Sequence, residues 1–178
     1  MGLTYIASVT ASASATVSFT TGIDASFNEY QWHFVNMHPA ADYAQFQFQV
    51  NADGLTGFNE VMTTTIFQAY HRENDADSGL GYDAAYDQGQ GTAYQPIATN
   101  VGNGSDRASS GILTLYDPSS TTYVKHFTAN TNTHHGSAVT QNYFTAGYIN
   151  TTNAIDEISF KFHNGNTDAG TIHMYGVG

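Results

Sequence analysis

Strict alternation of apolar and polar residues is the feature of this sequence that most limits its fold. In the run QFQFQV at 45–50, Phe46, Phe48 and Val50 occupy every second position, and glutamines occupy the positions between them. A β-strand has a side-chain period of two, so it sends such a pattern to two opposite faces. The runs 30–34 and 158–163 alternate in the same way, and the sequence predicts a strand at each place.

Further strand candidates and the turns between them predict the rest of the fold. The candidates are rich in Val, Ile, Thr, Tyr and Phe, which strands favour; they lie at 4–9, 16–20, 112–116, 123–129, 142–149 and 171–177. Turn-forming residues separate them, and 117–120 and 163–170 are interpreted as hairpin loops. This pattern favours one domain over residues 1–178, an all-β, antiparallel β-sandwich of jelly-roll-like type.

In the middle of the chain, residues 51–110, apolar residues do not repeat with the clear period of a strand or a helix. Segments 58–72 and 82–94 mix polar and apolar residues, and four glycines between 79 and 91 weaken any helix there. We therefore expect long loops with one or two short elements, inserted at one edge of the sandwich. Long ordered loops often bind partners, so this insertion is a candidate contact region.

Charged residues are scarce, which disfavours several functions. The chain has four basic and 15 acidic residues, a formal net charge of −11, and 11% charged residues, where about 25% is usual. Nucleic acid and anionic membranes are disfavoured as partners because both need clustered Lys and Arg. No cysteine is present, so disulfides and thiolate metal sites are excluded. An amide- and hydroxyl-rich surface favours a passive, assembling protein.

The start of the sequence, MGLTYI, matches neither a secretory signal nor a myristoylation pattern. No apolar run in the sequence reaches the length of a membrane span. We therefore expect synthesis in a cytoplasm and release by lysis or assembly.

Histidines are the first candidates for metal binding or for a response to pH. Two lie around a strand candidate, two are adjacent in a polar segment, and two could face each other across the last hairpin: His33, His38, His134, His135, His163 and His173. A metal site needs several converging ligands, and neither HExxH nor a close His-x-His with a carboxylate occurs. Ordinary strand and loop histidines are favoured. The alternative is a histidine-lined symmetry axis in an oligomer, which would respond to pH.

Two acidic loops contain oxygen ligands suited to calcium. Asp75 and Asp77 lie in the loop ENDADSG at 73–79, and Asp53 follows Asn51 in the turn NADG. The first loop departs from the EF-hand pattern, with a glycine at the third acidic position and a tyrosine in place of the bidentate Glu. A solvated turn is favoured over calcium at Asp75 and Asp77, and no metal, cofactor-binding or catalytic residue is predicted.

Aromatic residues in the glycine-rich middle are candidates for carbohydrate binding. Tyr82, Tyr86 and Tyr94 would form a stacking platform if they lay side by side; packing over the sandwich edge or into a subunit contact is favoured. The sequence contains no GxSxG, phosphate-loop or kinase motif, and no spacing singles out a pair of carboxylates. We therefore do not expect an enzyme.

Four stretches resemble small virion structural proteins of tailed bacteriophages, particularly marine and cyanobacterial ones. They are NEYQWHFVNMHPAAD at 28–42, SGILTLYDP at 110–118, the segment from AGY at 146 to AIDEI ending at 158, and GTIHMYGV at 170–177. The likeness covers roughly residues 20–178, and its motifs are structural, so it transfers no catalytic residues. Proteins of this kind are found as capsid decorations, fibres or other tail appendages.

The resemblance implies a structural component of a phage virion, with capsid decoration or cementing as the leading function. The expected partners are other virion proteins, either the major capsid protein or a tail protein, and we expect a homotrimer around a threefold axis. The virion would be built in the bacterial host cytoplasm. The alternative is a tail- or fibre-associated module that binds a receptor or carbohydrate, although the sequence has no heptad or collagen-like shaft.

Overall fold

The computed structural model describes residues 2–178 and confirms the predicted all-β, antiparallel sandwich. Its strands are β1 Leu3–Thr10, β2 Val17–Phe19, β3 Glu29–Pro39, β4 Ala44–Ala52, β5 Met62–Arg72, β6 Ser78–Tyr82, β7 Gln95–Val101, β8 Ser109–Tyr116, β9 Lys125–His135, β10 Val139–Ile149, β11 Ile155–Phe162 and β12 Thr167–Val177. Residues 2–178 contain no helix that is long and apolar enough to cross a membrane.

The strands form two layers. The large sheet has eight strands in the order β1-β12-β3-β8-β9-β10-β5-β6, and the small sheet has four in the order β7-β4-β11-β2. Strand pairing between β7 and β9, with Val101 opposite His135, links the two layers and nearly closes them into a barrel. The chain passes from one layer to the other at most of its connections, which is the path of a jelly roll.

Of the two predicted hairpins, one is confirmed and one is wrong. Residues 117–120 lie between β8 and β9, which are neighbours in the large sheet. Residues 163–170 do not close a hairpin, because β11 pairs with β4 and β2 whereas β12 pairs with β1 and β3. Turn-forming residues mark a change of direction, but they do not determine whether the next strand pairs with the previous one.

The middle of the chain is more regular than its sequence indicates. Residues 51–110 contain β5, β6, β7 and the start of β8, so the prediction of loops with one or two short elements is wrong. A buried threonine interrupts the apolar series of β5, and it is tolerated because the Thr64 hydroxyl donates to Gln95 Oε1 at 2.7 Å. In β6, Gly79 leaves space for the ring of Tyr70, which lies 2.9 Å from where a Cβ atom would be.

Long connections at 53–61 and 83–94 do occur in the middle of the chain, and they cover the small sheet. Gln49 on β4 is fully buried beneath them. Its side-chain amide donates to the carbonyl oxygens of Glu60 at 3.0 Å and Thr92 at 3.2 Å. Strand β4 is therefore buried on both faces, whereas several strands of the large sheet alternate between buried and exposed residues.

Aromatic side chains fill the space between the sheets. Phe160 on β11 lies at the centre, with its ring centroid 5.2 Å from that of Phe34, 5.9 Å from Phe46 and 6.3 Å from Trp32. Trp32 and Phe34 belong to the large sheet and Phe46 to the small one, so a single ring packs against both layers. Full burial of a side chain such as Phe stabilises a fold by roughly 1.5–3 kcal/mol.

Truncation of the central ring tests this packing. Phe160→Ala should lower the free energy of unfolding by about 3–5 kcal/mol, because it removes buried contacts and leaves a cavity. Urea unfolding followed by tryptophan fluorescence would measure the loss. The matched control is Phe144→Ala, whose ring is 39% exposed and should contribute far less. Equal losses in the two variants would contradict the central role of Phe160.

Substitution of Gly176 tests the close packing at the end of β12. A Cβ atom at Gly176 would lie 2.3 Å from the ring of Phe27, so Gly176→Ala should cost about 1–3 kcal/mol of stability through overpacking. Gly81→Ala is the control, since a Cβ atom at Gly81 would meet nothing within 4 Å. Urea midpoints would report both effects, and an unchanged midpoint for Gly176→Ala would refute the close contact.

Candidate functional site

The uncovered side of the large sheet, which we name the outer face, is the main candidate for a functional surface. The strand registers place outward side chains in rows across the sheet. One row crosses all eight strands and consists of Ser8, His173, His33, Ile112, Asn130, Phe144, Phe67 and Tyr82. The long connections that bury the small sheet leave this face accessible to a partner.

Exposed apolar side chains are concentrated on this face. Of the twelve large hydrophobic residues that are exposed within residues 2–178, nine lie on strands of the large sheet and point outward. They are Leu3, Tyr5, Val35, Phe67, Leu80, Tyr82, Ile112, Tyr116 and Phe144. Apolar side chains scattered singly over a surface are ordinary, but their concentration on one face indicates an interaction site.

A groove lies at the centre of the outer face. The rings of Phe67 and Phe144 stack with their centroids 5.0 Å apart and an interplanar angle of 14°. These rings and Ile112 border the groove, and shorter side chains of the neighbouring row, including Thr128 and Ala146, line it. Its volume is about 370 Å³. The groove is open and mainly apolar, so it is suited to receive an apolar side chain or the flat side of a small ligand.

Few charged residues belong to the strands of the outer face, but loop carboxylates border it, because Asp87 accepts a hydrogen bond from Tyr82 and Asp75 and Glu73 lie beside His71 and His134. Glu29 and Asp168 are the acidic residues within its eight strands, and the other carboxylates belong to loops or to the small sheet. Each basic group has its own contact. Arg72 pairs with Asp77 at 3.8 Å, and the Lys161 ammonium lies 4.0 Å from the centre of the Tyr94 ring. Arg107 and buried Lys125 donate to backbone carbonyls, those of Gly136 at 2.5 Å and Tyr123 at 3.1 Å. The outer face can therefore bury apolar area and exchange hydrogen bonds through amides and hydroxyls.

The histidines singled out from the sequence do not converge. His163 and His173 are not opposite each other, because β11 and β12 lie in different sheets; His173 lies opposite His33 instead. The others have separate partners: His38 bonds to the Arg107 carbonyl, His134 approaches Glu73, His135 accepts from the Ser137 amide and His163 from the Gln45 amide. No group of three His, Cys, Asp or Glu residues suited to a metal ion occurs within residues 2–178.

Burial lowers the pKa of three of these histidines. Desolvation is the main cause at His33, and the nearby His173 adds to it because two imidazolium groups would repel each other. Desolvation also lowers the pKa of His135 and of His163. His33 is on the outer face, where its Nε2 lies 3.0 Å from Gln31 Oε1. A histidine-lined symmetry axis stays a prediction.

The acidic loops are organised by contacts within the protein. Asp75 lies 3.0 Å from the His71 ring, and Asp77 accepts a hydrogen bond from the Tyr70 hydroxyl at 3.0 Å. In the other loop, the side-chain oxygen of Asn51 accepts a hydrogen bond from the Phe58 backbone amide at 2.7 Å. These contacts use oxygens that a calcium ion would otherwise bind.

The three tyrosines do not form a common platform. Tyr82 is exposed at the end of β6 and its hydroxyl donates to Asp87, whereas Tyr86 packs against the core. Tyr94 is covered by the Lys161 ammonium, 4.0 Å from the ring centroid. Packing at the sandwich, the interpretation favoured from the sequence, therefore describes Tyr86 and Tyr94, while Tyr82 belongs to the outer face.

The central residues of the outer face, Phe67, Ile112 and Phe144, were not singled out from the sequence. A signal for them exists in β10, where Tyr143 and Phe144 are adjacent. Neighbouring residues of a strand face opposite ways, and buried Tyr143 takes the inward position. A second aromatic residue on the polar side of a strand is the pattern that would have identified Phe144.

Comparisons with protein-family models, with curated proteins and with solved structures found no match. The outer face, with its exposed apolar groups and few charges, is therefore the feature from which a function can be inferred. The outer face extends across eight strands, which is a larger surface than a small-molecule site requires.

Acidification tests whether the lowered pKa values of the buried histidines make the stability of the fold depend on pH. Lowering the pH from about 7.5 to about 5.5 should reduce the free energy of unfolding, because His33, His135 and His163 have lowered pKa values in the folded state, while unfolded histidine titrates near about 6.5. Below that pH the unfolded chain binds more protons, so stability falls as the pH falls. Urea unfolding at several pH values measures this, and His33→Gln should make the dependence shallower. If plots of unfolding free energy against pH were parallel for the unsubstituted protein and His33→Gln, His33 would not contribute to the pH dependence.

Proposed function

We propose that this chain is a structural component of a phage virion, a decoration or cement protein that assembles on the particle surface by burying its outer face. The observation that carries the proposal is the concentration of exposed apolar side chains on one sheet face, whose eight strands contain only two acidic residues. The resemblance of four sequence stretches to virion structural proteins supports the same role. The expected partners are the major capsid protein or a tail protein, together with further copies of this chain.

Physical properties of the outer face suit repeated assembly. Apolar area stabilises a contact in proportion to the area removed from water, at about 25 cal/mol per Å². Few charged groups would have to lose their hydration, which is the step that makes burial of unpaired charges costly. A modest affinity per copy is sufficient when many copies attach to one lattice, because multivalent attachment raises the overall affinity. The threefold arrangement expected from the sequence stays a prediction.

A carbohydrate- or receptor-binding module of a phage tail is the second candidate, and the stacked pair Phe67 and Phe144 favours it. Exposed rings beside a groove offer a surface on which a sugar ring can pack. Specific sugar binding also needs polar groups that hydrogen-bond the hydroxyls, and near the groove these are Asn130 and threonines. This set is small and uncharged, so decoration is the preferred function.

The number of copies per particle tests the proposal. Quantitative mass spectrometry of purified particles should find copies on the order of hundreds, as expected for attachment across a lattice. Digestion with chymotrypsin suits the chain, which has 24 aromatic residues and only four Lys or Arg. Absence from particles would overturn the virion role, and a copy number in single digits or low tens would overturn decoration.

A glycan array distinguishes the second candidate, a carbohydrate-binding tail module, from a decoration protein. No binding is expected for a decoration protein. Binding that Phe144→Ser abolishes, with Tyr123→Ser as an exposed aromatic control outside the outer face, would favour the tail module instead.

A further inference from the structure

We propose that the free edge of β6 pairs antiparallel with the same edge of a second copy of this chain, about a twofold axis that passes between the two Leu80 residues. The contact joins two strand edges, so it leaves the outer face of each copy uncovered. This pairing does not depend on the virion role proposed above, and it goes beyond that role by naming a second surface and the molecule that contacts it.

The four sheet edges within residues 2–178 differ in how they are protected against pairing. Native proteins block edges with prolines, bulges, charges or very short strands. Strand β7 contains Pro96 and is largely buried, β2 has only three residues, and a register shift interrupts β1 between Tyr5 and Ala7. Strand β6 has five residues in regular register with β5 and contains neither a proline nor a charged residue. It is therefore the edge that is open to a further strand.

Backbone groups of β6 are available to bind such a strand. The Asp83 amide donates to the Ile66 carbonyl at 3.0 Å, so Asp83 and every second residue before it bond to β5. The residues between them direct their amides and carbonyls away from β5; they are Ser78, Leu80 and Tyr82. Within residues 2–178, β6 pairs only with β5, so these outward groups have no partner strand.

The outward groups of β6 match those of a second copy. When Leu80 lies opposite Leu80 of the other copy, Ser78 lies opposite Tyr82, and every outward amide meets an outward carbonyl. The arrangement is twofold, so each contact between unlike residues occurs twice. No outward group of β6 is then left without a partner.

The side chains of β6 also suit this register. Leu80 is 73% exposed, and the two Leu80 side chains would pack together across the axis. Gly79 of one copy lies opposite Gly81 of the other. The ring of Tyr70 requires a glycine at position 79, but a Cβ atom at Gly81 would meet nothing within 4 Å, so no contact within the chain accounts for the second glycine.

Glycine in a strand often marks a place where another backbone approaches closely. The two glycines face each other only when the partner is a second copy in this register. Gly79 and Gly81 therefore favour a second copy over a strand of another protein.

Carboxylates beside β6 limit the strength of the contact. The register brings Asp77 of one copy opposite Asp83 of the other, and like charges directly opposite each other are destabilising. Asp77 lies 3.8 Å from Arg72, which reduces this repulsion but does not remove it. The interface is also smaller than the roughly 800 Å² per partner of a stable complex. The dimer is therefore weak in solution, and attachment of many copies to one lattice would stabilise it.

The dimer leaves the proposed assembly surface available. The twofold axis of an antiparallel pair is perpendicular to the sheet, so the parts of the two outer faces beside the axis face the same way. Phe67 on β5 and Phe144 on β10 belong to these parts, and edge pairing does not cover them. One particle surface can therefore contact both copies at once.

Sedimentation equilibrium of the full chain tests the dimer. Between about 10 µM and about 1 mM, the average mass should rise from the 19.2 kDa of one chain towards twice that value. Leu80→Pro should weaken the association at least about tenfold, because it removes two hydrogen bonds across the axis and none to β5. Circular dichroism establishes that each variant is folded.

The matched control is Ser8→Pro in the other edge strand of the large sheet, β1. The Ala11 amide donates to the Gly170 carbonyl, so alternation directs the Ser8 amide away from its neighbour β12. Ser8→Pro therefore removes an outward amide from an edge that the dimer does not use, and it should leave the association unchanged.

Amide hydrogen exchange tests the register. Between about 50 µM and about 1 mM, exchange at the outward amides should slow at least about threefold, because the dimer bonds them; these amides are those of Ser78, Leu80 and Tyr82. Gly79 and Gly81 are internal controls, since their amides already bond to β5, and their exchange should change less.

Removal of one opposed charge should strengthen the dimer. Asp83→Asn should tighten the association at least about twofold, because it removes the carboxylate that faces Asp77 of the other copy. Asp75→Asn is the control with the same change in net charge, since Asp75 faces no carboxylate in this register. Equal effects of the two variants would contradict the register.

Several outcomes would overturn the dimer. They are a monomer at about 1 mM, an association that Leu80→Pro leaves intact, or exchange that does not slow at the outward amides. A monomer whose Leu80→Pro variant no longer attaches to particles would assign the β6 edge to a strand of another virion protein. A monomer that still occurs in many copies on particles would leave the proposed function standing, and a dimer that is absent from particles would do the reverse.

Discussion

Aromatic packing between the two sheets is the interaction on which the rest of this structure depends. The layers share little continuous hydrogen bonding beyond the pairing at Val101 and His135, and no disulfide joins them. The rings around Phe160 therefore hold the layers together. Because each strand places alternate residues on opposite sides, the requirement for a continuous aromatic core also determines which residues remain for the outer face.

The two layers differ in what covers their other side. Long connections from the middle of the chain cover β4, and buried Gln49 satisfies their carbonyl oxygens. The large sheet has no comparable cover over Phe67 and Phe144. Covering one sheet and exposing the other produces a molecule with a single extended face for contact, and carboxylates border this face where Asp87 contacts Tyr82 and Asp75 contacts His71. This asymmetry, more than any single side chain, is what makes surface assembly the preferred function.

The sequence predicts this fold well wherever a strand has one apolar and one polar face. The alternation at 45–50 and 158–163 identifies β4 and β11 correctly. It does not predict pairing, so the hairpin proposed at 163–170 was wrong: two strands adjacent in sequence joined different layers. The outer face was missed for a related reason. Phe67 and Phe144 meet through the register of β5 with β10, which local patterns do not specify.

The net negative charge of the chain, −11, has a consequence for the effect of ionic strength. Complexes held by opposite charges weaken as salt is added, because mobile ions screen the attraction. Here 15 acidic residues outnumber four basic ones, so screening mainly reduces the repulsion between copies. Salt leaves the apolar contact itself intact and, with strongly excluded ions such as sulfate, reinforces it. The proposed assembly through this face should therefore be stronger in saline water than in fresh water.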